Sequence, residues 1–307
     1  MEGAGSGRVA LRAGDGMSAQ VTALVAGDLY LDLILTGFPF WPAPGEESFA
    51  RAMHRDIGGG AAITACGLAK LEVPTGIVGT VGASDCEWVV ERMEGYGVNT
   101  SALRQDAGDY TAVTVAVSDA KDRAFFTYAG PNERTREILE KEPLPTARHI
   151  HLACIPTLDA MRRLRADGYT ISVDIGWHPD WLADARNAEI LHLADIFFPN
   201  QREAAAIRPW IGELEGIMLV TKHGARGAEA QRAGERVEHP GFRVETRETT
   251  GAGDCFDAGF LAAWLEGKAL AECLRIGNAC GALSTREVGG IAGMPTKIQL
   301  EEFLCAT

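Results

Sequence analysis

The amino-acid sequence predicts an α/β protein: a mostly parallel central sheet covered by helices on both faces, with a small antiparallel β-sheet projecting from it as a lid. Three observations carry this. Strand-like apolar runs alternate with helix-like segments along most of the chain, the pattern of parallel strands joined by crossover helices. Two stretches, 35–57 and 104–130, break that rhythm. At 307 residues the chain is long enough for one sizeable core with an appendage rather than two equal domains.

Residues 1–20 are rich in Gly, Ala and Arg and lack the apolar run of a secretory signal. They are expected to form a disordered extension ahead of one domain over 21–307. Met17 directly precedes the first strand-like run, so an upstream start codon or an appended segment would explain residues 1–16. Strands are expected at "VTALVAG" (Val21–Gly27), "TGIVGTVG" (Thr75–Gly82), "HIHLAC" (His149–Cys154), "YTISVD" (Tyr169–Asp174), "DIFFPN" (Asp195–Asn200) and "IMLVT" (Ile217–Thr221). Periodicity places helices at Ala61–Leu71, Glu87–Gly95, Arg134–Glu140, Leu158–Asp167, Asn200–Ala206, Cys255–Leu265 and Leu270–Ser284. Within 104–130, Thr111, Val113, Val115 and Val117 alternate with smaller residues, "SDAKD" turns, and "RAFFTYAG" returns as a hairpin partner.

The composition is that of an ordinary enzyme, with 46% hydrophobic and 23% charged residues. No run approaches the ~20 apolar residues of a membrane span. A net charge of −13 argues against nucleic acid or an anionic membrane as partner, because phosphate backbones are held by clustered Lys and Arg. Seven cysteines without a CxxC pair fit free thiols in a reducing, cytoplasmic setting. His149 and His151 alternate on one strand, but no third ligand follows at useful spacing, so they read as buried histidines.

The chemistry concentrates in "RETTGAGDCFDAGFLAAWLEG" (Arg247–Gly267). A helix N-terminus offers unpaired N–H groups, and Gly251 and Gly253 admit a ligand close to the backbone, so Gly251, Ala252 and Gly253 suit an anion hole. Asp254 beside it is a poor anion ligand but a good acceptor for a hydroxyl proton. A plain helix cap is the other reading of this pattern.

This stretch resembles the C-terminal signature of the ribokinase-like, or PfkB-type, family of carbohydrate and nucleoside kinases. Four further segments are similar to the family's motifs, in the family's order: "AGDLYLDL" (Ala26–Leu33), "DIGGGAAITACGLAKLEVPTGIVGTVGASD" (Asp56–Asp85), "PNQREA" (Pro199–Ala204) and "VTKHGARGA" (Val220–Ala228). The resemblance implies a ribokinase-like three-layer sandwich, a magnesium- and ATP-dependent phosphotransfer to a hydroxyl, expected to be primary, and a sugar or nucleoside as acceptor. Asp254 becomes the general base. Asn200 would reach phosphate or water, and Glu203 would organise Mg2+ through water, although both would also suit a helix surface. Thr221, Gly224 and Gly227 would line the nucleotide, or simply join a strand to a turn. Asn278 would approach the adenine, in a segment whose small residues equally suit helix packing.

Asp32 and, more weakly, Asp28 would bind substrate hydroxyls. Gly58, Gly59 and Gly60 would pass the substrate close to a helix start. Ile63 departs from the family, which usually has Asn there, and leaves the substrate's identity open. Glu248 and Thr250 occupy the positions of a monovalent-cation site, with Glu one methylene longer than the commoner Asp, so K+ activation is an open expectation.

Phe38, Phe40 and Trp41, with Tyr30 near Asp32, would stack on a base or sugar face, or close a small core or dimer contact. A homodimer through the lid is the expected assembly. A GxGxxG after the first strand and a GxxxxGK[ST] motif are both missing, which removes dinucleotide-dependent dehydrogenases and P-loop kinases. The rival of another class is a sugar or nucleotide sensor that kept the fold without turnover, against which the intact GAGD argues.

Overall fold

The computed structural model describes residues 8–10, 21–118, 123–210, 212 and 216–307. The expected extension therefore lies outside the described residues except for Arg8–Ala10, and so does most of the "SDAKD" turn. In chain order the strands and helices begin with β1 (Arg8–Ala10), β2 (Ala23–Gly27), β3 (Tyr30–Thr36), β4 (Ala52–Gly58), α1 (Gly60–Lys70), β5 (Thr75–Gly82), α2 (Cys86–Gly95) and β6 (Asn99–Asp106). They continue with β7 (Val113–Ser118), β8 (Arg123–Tyr128), α3 (Arg134–Lys141), β9 (His149–Ala153), α4 (Leu158–Ala166), β10 (Thr170–Val173), α5 (Pro179–Ala183) and α6 (Ala188–Leu191). The chain ends through β11 (Ile196–Phe197), α7 (Gln201–Ile207), β12 (Met218–Lys222), β13 (Ala228–Arg232), β14 (Glu235–His239), α8 (Ala252–Leu265), α9 (Leu270–Ser284) and α10 (Lys297–Ala306).

Among the described residues the large sheet runs β1-β6-β5-β2-β9-β10-β11-β12-β13-β14. Its pairs are parallel from β6 through β12 and antiparallel at both edges. The two-residue period of a strand sorts each central strand between two cores. In β2, Ala23 and Val25 pack with α1, α2, α8 and α9, while Leu24 and Ala26 pack with α3, α4 and α7. Three layers result, as expected. The antiparallel β13–β14 ribbon, whose residues are largely polar, was not among the expected strands.

The small sheet runs β4-β3-β7-β8. It is antiparallel at β3–β4 and β7–β8, with one parallel seam where β3 meets β7. It begins at Tyr30, so Asp32 belongs to the lid rather than to the first core strand, and Asn99–Asp106 belongs to the large sheet. The two sheets are joined by a short passage through Asp28 and Leu29. Buried Asn132 brackets that passage, accepting from the Leu29 N–H at 3.0 Å and donating to the Leu29 carbonyl at 3.1 Å. His149 and His151 are fully buried and bond Thr170 and Ser172. Burial pushes them down to about 3 and about 4, so both are neutral. No helix among the described residues is long and apolar enough to cross a membrane.

Replacing Asn132 with Ala strips both backbone groups of Leu29 of a buried partner. The expected loss is about 1–3 kcal/mol in urea unfolding, with the lid joint loosened.

Candidate active site

Helix α8 starts one turn earlier than its apolar periodicity indicates. Gly251 is the N-cap at φ +74°, a left-handed conformation that glycine adopts without strain, and Ala252, Gly253 and Asp254 form the first turn. The GAGD run is thus the helix start itself, with first-turn N–H groups directed outward. A small-residue seam fixes the helix: a Cβ on Gly67 of α1 would come 2.7 Å from the Ala258 Cβ, and one on Gly259 would come 2.7 Å from the Cys280 Sγ of α9.

Asp254 is half-buried, and its Oδ1 lies 2.9 Å from where a Cβ on Gly60 would stand. The helix start of α1 therefore faces the carboxyl of α8. Burial pushes Asp254 up to about 7, the charge of Asp174 adds to this, and Lys222 opposes it. A carboxyl titrating there is matched to accept a hydroxyl proton near neutrality.

Lys222 ends β12, Asp174 follows β10, and Asp257 lies one turn into α8. The Lys222 Nζ contacts Asp174 Oδ2 at 2.5 Å and the two Asp257 oxygens at 3.0 and 3.1 Å. Burial raises Asp257 strongly. Burial acts on Asp174 in the same sense, but Lys222 and a hydrogen bond with Asp257 outweigh it and hold Asp174 low. Burial would lower Lys222, yet the two aspartates keep it charged. Asp174, Asp254 and Asp257 offer oxygens within 4.8 Å of one another, a spacing suited to a metal, but the ammonium already occupies the place between two of them.

Two cavities meet at this cluster. One, of about 640 Å³, is lined by Gly224, Gly227, Phe242, Gly253, Phe256 and Asn278 among others. The other, of about 440 Å³, is lined by Asp28, Tyr30, Gly60, Asn200, Glu203 and Asp254 among others. Lys222, Gly224 and Gly253 line both. Both volumes suit small ligands.

The structure brings together most of the residues singled out by sequence, with differences. Asn200 and Glu203 form a reciprocal capping box at the start of α7: the Asn200 N–H and amide donate to the Glu203 carboxylate at 2.8 and 2.6 Å. Burial and Asp174 raise the Glu203 carboxyl. Gly224 and Gly227 line the larger cavity, whereas Thr221 is buried in β12 opposite Glu229 and lines neither cavity. Its neighbour Lys222 reaches the site instead, because successive strand residues face opposite sides. Asn278 lines the larger cavity, but its amide donates to the carbonyls of His239 and Pro240 at 3.1 and 3.4 Å, tying down the end of β14.

On the other side, Asp28 is raised by burial and accepts from the Tyr30 hydroxyl at 3.3 Å. Asp32 stands opposite Asp56 across β3–β4 and packs over Gly58. Burial, Asp56 and Glu248 push Asp32 up to about 6. Gly59 caps α1. Ile63 does not present an apolar face to a substrate: it is buried at 3% exposure, with its side chain beneath the backbones of Gly251 and Gly290, and so supports the anion hole from below. Glu248 accepts from the Thr250 N–H at 2.7 Å and the Gly289 N–H at 3.3 Å, bracing the loop into α8.

Sequence reasoning passed over Asp174, Lys222 and Asp257. The available signals were an aspartate at the carboxyl end of a parallel strand, where open α/β sheets bind ligands, and a second aspartate three residues after Asp254 on one helix face.

The chain has relatives of known family and fold. The family model described as pfkB family carbohydrate kinase matches residues 23–297. The chain belongs to that family, and it is a phosphotransferase with an alcohol group as acceptor, a PfkB-type sugar or nucleoside kinase. It is 34% identical over 295 residues to the ATP-dependent ribose-1-phosphate kinase of Halopiger xanaduensis, covering 92% of this chain and 98% of the relative. Among solved structures it is similar to the Methanocaldococcus jannaschii nucleoside kinase, with TM-score 0.83, 21% identity and coverage of 94% and 99% of the two chains. The Burkholderia thailandensis nucleoside kinase in complex with inosine matches with TM-score 0.82, 21% identity and coverage of 93% and 98%.

If Asp254 is the base, kcat rises with pH as its carboxyl loses its proton, with an acid limb centred near pH 7. Asp254→Asn should lower kcat by about 10²–10⁴-fold and remove that limb. A pH–rate profile of both forms checks this.

Proposed function

We propose that this protein transfers the γ-phosphoryl group of ATP to the primary hydroxyl of a ribose unit carrying phosphate at its anomeric carbon. The observation that carries the transfer is the junction of two cavities at the α8 N-terminus, with Asp254 at the acceptor side. ATP occupies the larger cavity, its γ-phosphate against the amides of Gly251, Ala252 and Gly253, and the acceptor occupies the smaller one with its hydroxyl at Asp254. Asp28 and Asp32 take vicinal hydroxyls. Closure of the small sheet excludes water that would otherwise accept the phosphoryl group.

The phosphorylated acceptor is supported by the ribose-1-phosphate kinase relative and by Arg136, whose positive charge reaches the Asp28 carboxyl. Mg2+ fits Asn200 and Glu203, whose side chains help line the smaller cavity and offer oxygens that suit a hard cation held through its waters. When bound it neutralises charge on the β- and γ-phosphates. Glu248 and Thr250 lie on the loop entering the anion hole, and a K+ ion held there would add to the bracing that Glu248 already gives. ATP use and the seven free cysteines support a cytoplasmic setting.

ADP release with Mg-ATP, read across ribose 1-phosphate, free sugars, sugar acids and nucleosides, tests the acceptor. Ribose 1-phosphate should give the highest kcat/KM. Preference for a nucleoside or a free sugar would contradict the acceptor, and ATP binding without turnover on any acceptor would favour a sensor.

The small sheet exposes Met53 and Phe126, each at 64%, and the loop entering β4 exposes Phe49 at 71%. Such a patch supports a homodimer through the lid. Phe126→Glu should convert a dimer to a monomer in light scattering, and a wild-type monomer at working concentration would contradict it.

A further inference from the structure

Lys222 does more than hold two aspartates together. Its bonds to Asp174 and Asp257 use two of the three ammonium donors, since both Asp257 oxygens face the same side. The remaining side is left open by glycine: a Cβ on Gly253 would come 3.4 Å from Nζ, so the missing side chain uncovers the ammonium beside the α8 N-terminus. Lys222 is 11% exposed, and that exposure lines both cavities.

We propose that Lys222 is a catalytic residue of this kinase, its ammonium touching the transferring phosphoryl group from the sheet side while the α8 amides touch it from the helix side. This rests on the kinase reading. The acceptor oxygen bonds to the γ-phosphorus as the bond to the bridging oxygen breaks, and that electron pair leaves on ADP. The acceptor proton passes to Asp254. Lys222 gives up no proton and answers the charge spread over the three equatorial oxygens.

The surrounding charges favour this. Lys222 lies between Asp174 and Asp257, whose carboxyl burial pushes well above the usual aspartate range, so an incoming phosphoryl group meets an ammonium donor in front of those two groups rather than bare carboxylates. The strand alternation that turns Thr221 away places Lys222 on the face where the nucleotide's phosphates arrive.

Two variants test it: Lys222→Met, and Lys222→Met with Asp257→Asn, which also neutralises a carboxylate left without its partner. Affinities for Mg-ATP and Mg-ADP are measured by calorimetry beside kcat and its pH profile, with thermal melting as the check of folding. The expected result is a kcat loss of about 10²–10³-fold, with ATP affinity falling about ten-fold more than ADP affinity. The acid limb of Lys222→Met should also move to higher pH, because Lys222 opposes the upward shift of Asp254. A folded variant with wild-type kcat and an unchanged preference for ATP over ADP would overturn the proposal. Failure of both variants to fold would do so too, by making the lysine an anchor of the fold. Should the wild type turn over no acceptor, the ATP-over-ADP preference still decides Lys222, so the two failures are distinct.

Discussion

The ammonium of Lys222 lies between Asp174 and Asp257, and the site depends on that contact. It joins the end of β12, the end of β10 and the first turns of α8, three elements brought together only by the tertiary fold. Without the cation, two buried carboxylates would face each other, and burial of unpaired charge is strongly unfavourable. With it, the α8 N-terminus is fixed over the carboxyl edge of the sheet, where a positive helix end and a positive side chain flank one small space. Asp254 stands in the same field, raised to about 7 by burial and by Asp174.

Around this fixed centre the molecule divides its tasks. The three-layer core holds the larger cavity and Asp254, and the small sheet carries Asp32 and, through Tyr30, part of the wall of the smaller cavity. One of the chain passages between them, Asp28–Leu29, is clasped by Asn132. A fixed centre beside a small sheet proposed to close over it would suit phosphoryl transfer, in which positioning and exclusion of water supply most of the catalysis.

Much of this was legible in the sequence because the relevant signals are local. Buried parallel strands read as apolar runs, and the GAGD segment announced an anion site through the chemistry of its own four residues. The start of α8 was not legible, since periodicity needs side chains and Gly251 to Asp254 offer no apolar face. The β13–β14 ribbon lies at a sheet edge, where polar residues blur the strand pattern. Lys222 was passed over because its partners come from positions 48 and 35 residues away, a pairing no local pattern reveals. Ile63 was judged by the residue that usually stands there, whereas here its side chain is buried under the backbones of Gly251 and Gly290.

The central claim is that the fold tunes Asp254 into a base beside an anion hole. The most direct measurement is an NMR titration of the Asp254 carboxyl in protein labelled at aspartate Cγ, with Asp254→Asn supplying the assignment. The account predicts a midpoint near 7, observable without any substrate. A midpoint near the ordinary aspartate value of about 4 would contradict it and leave Asp254 a helix-start residue with no tuned role.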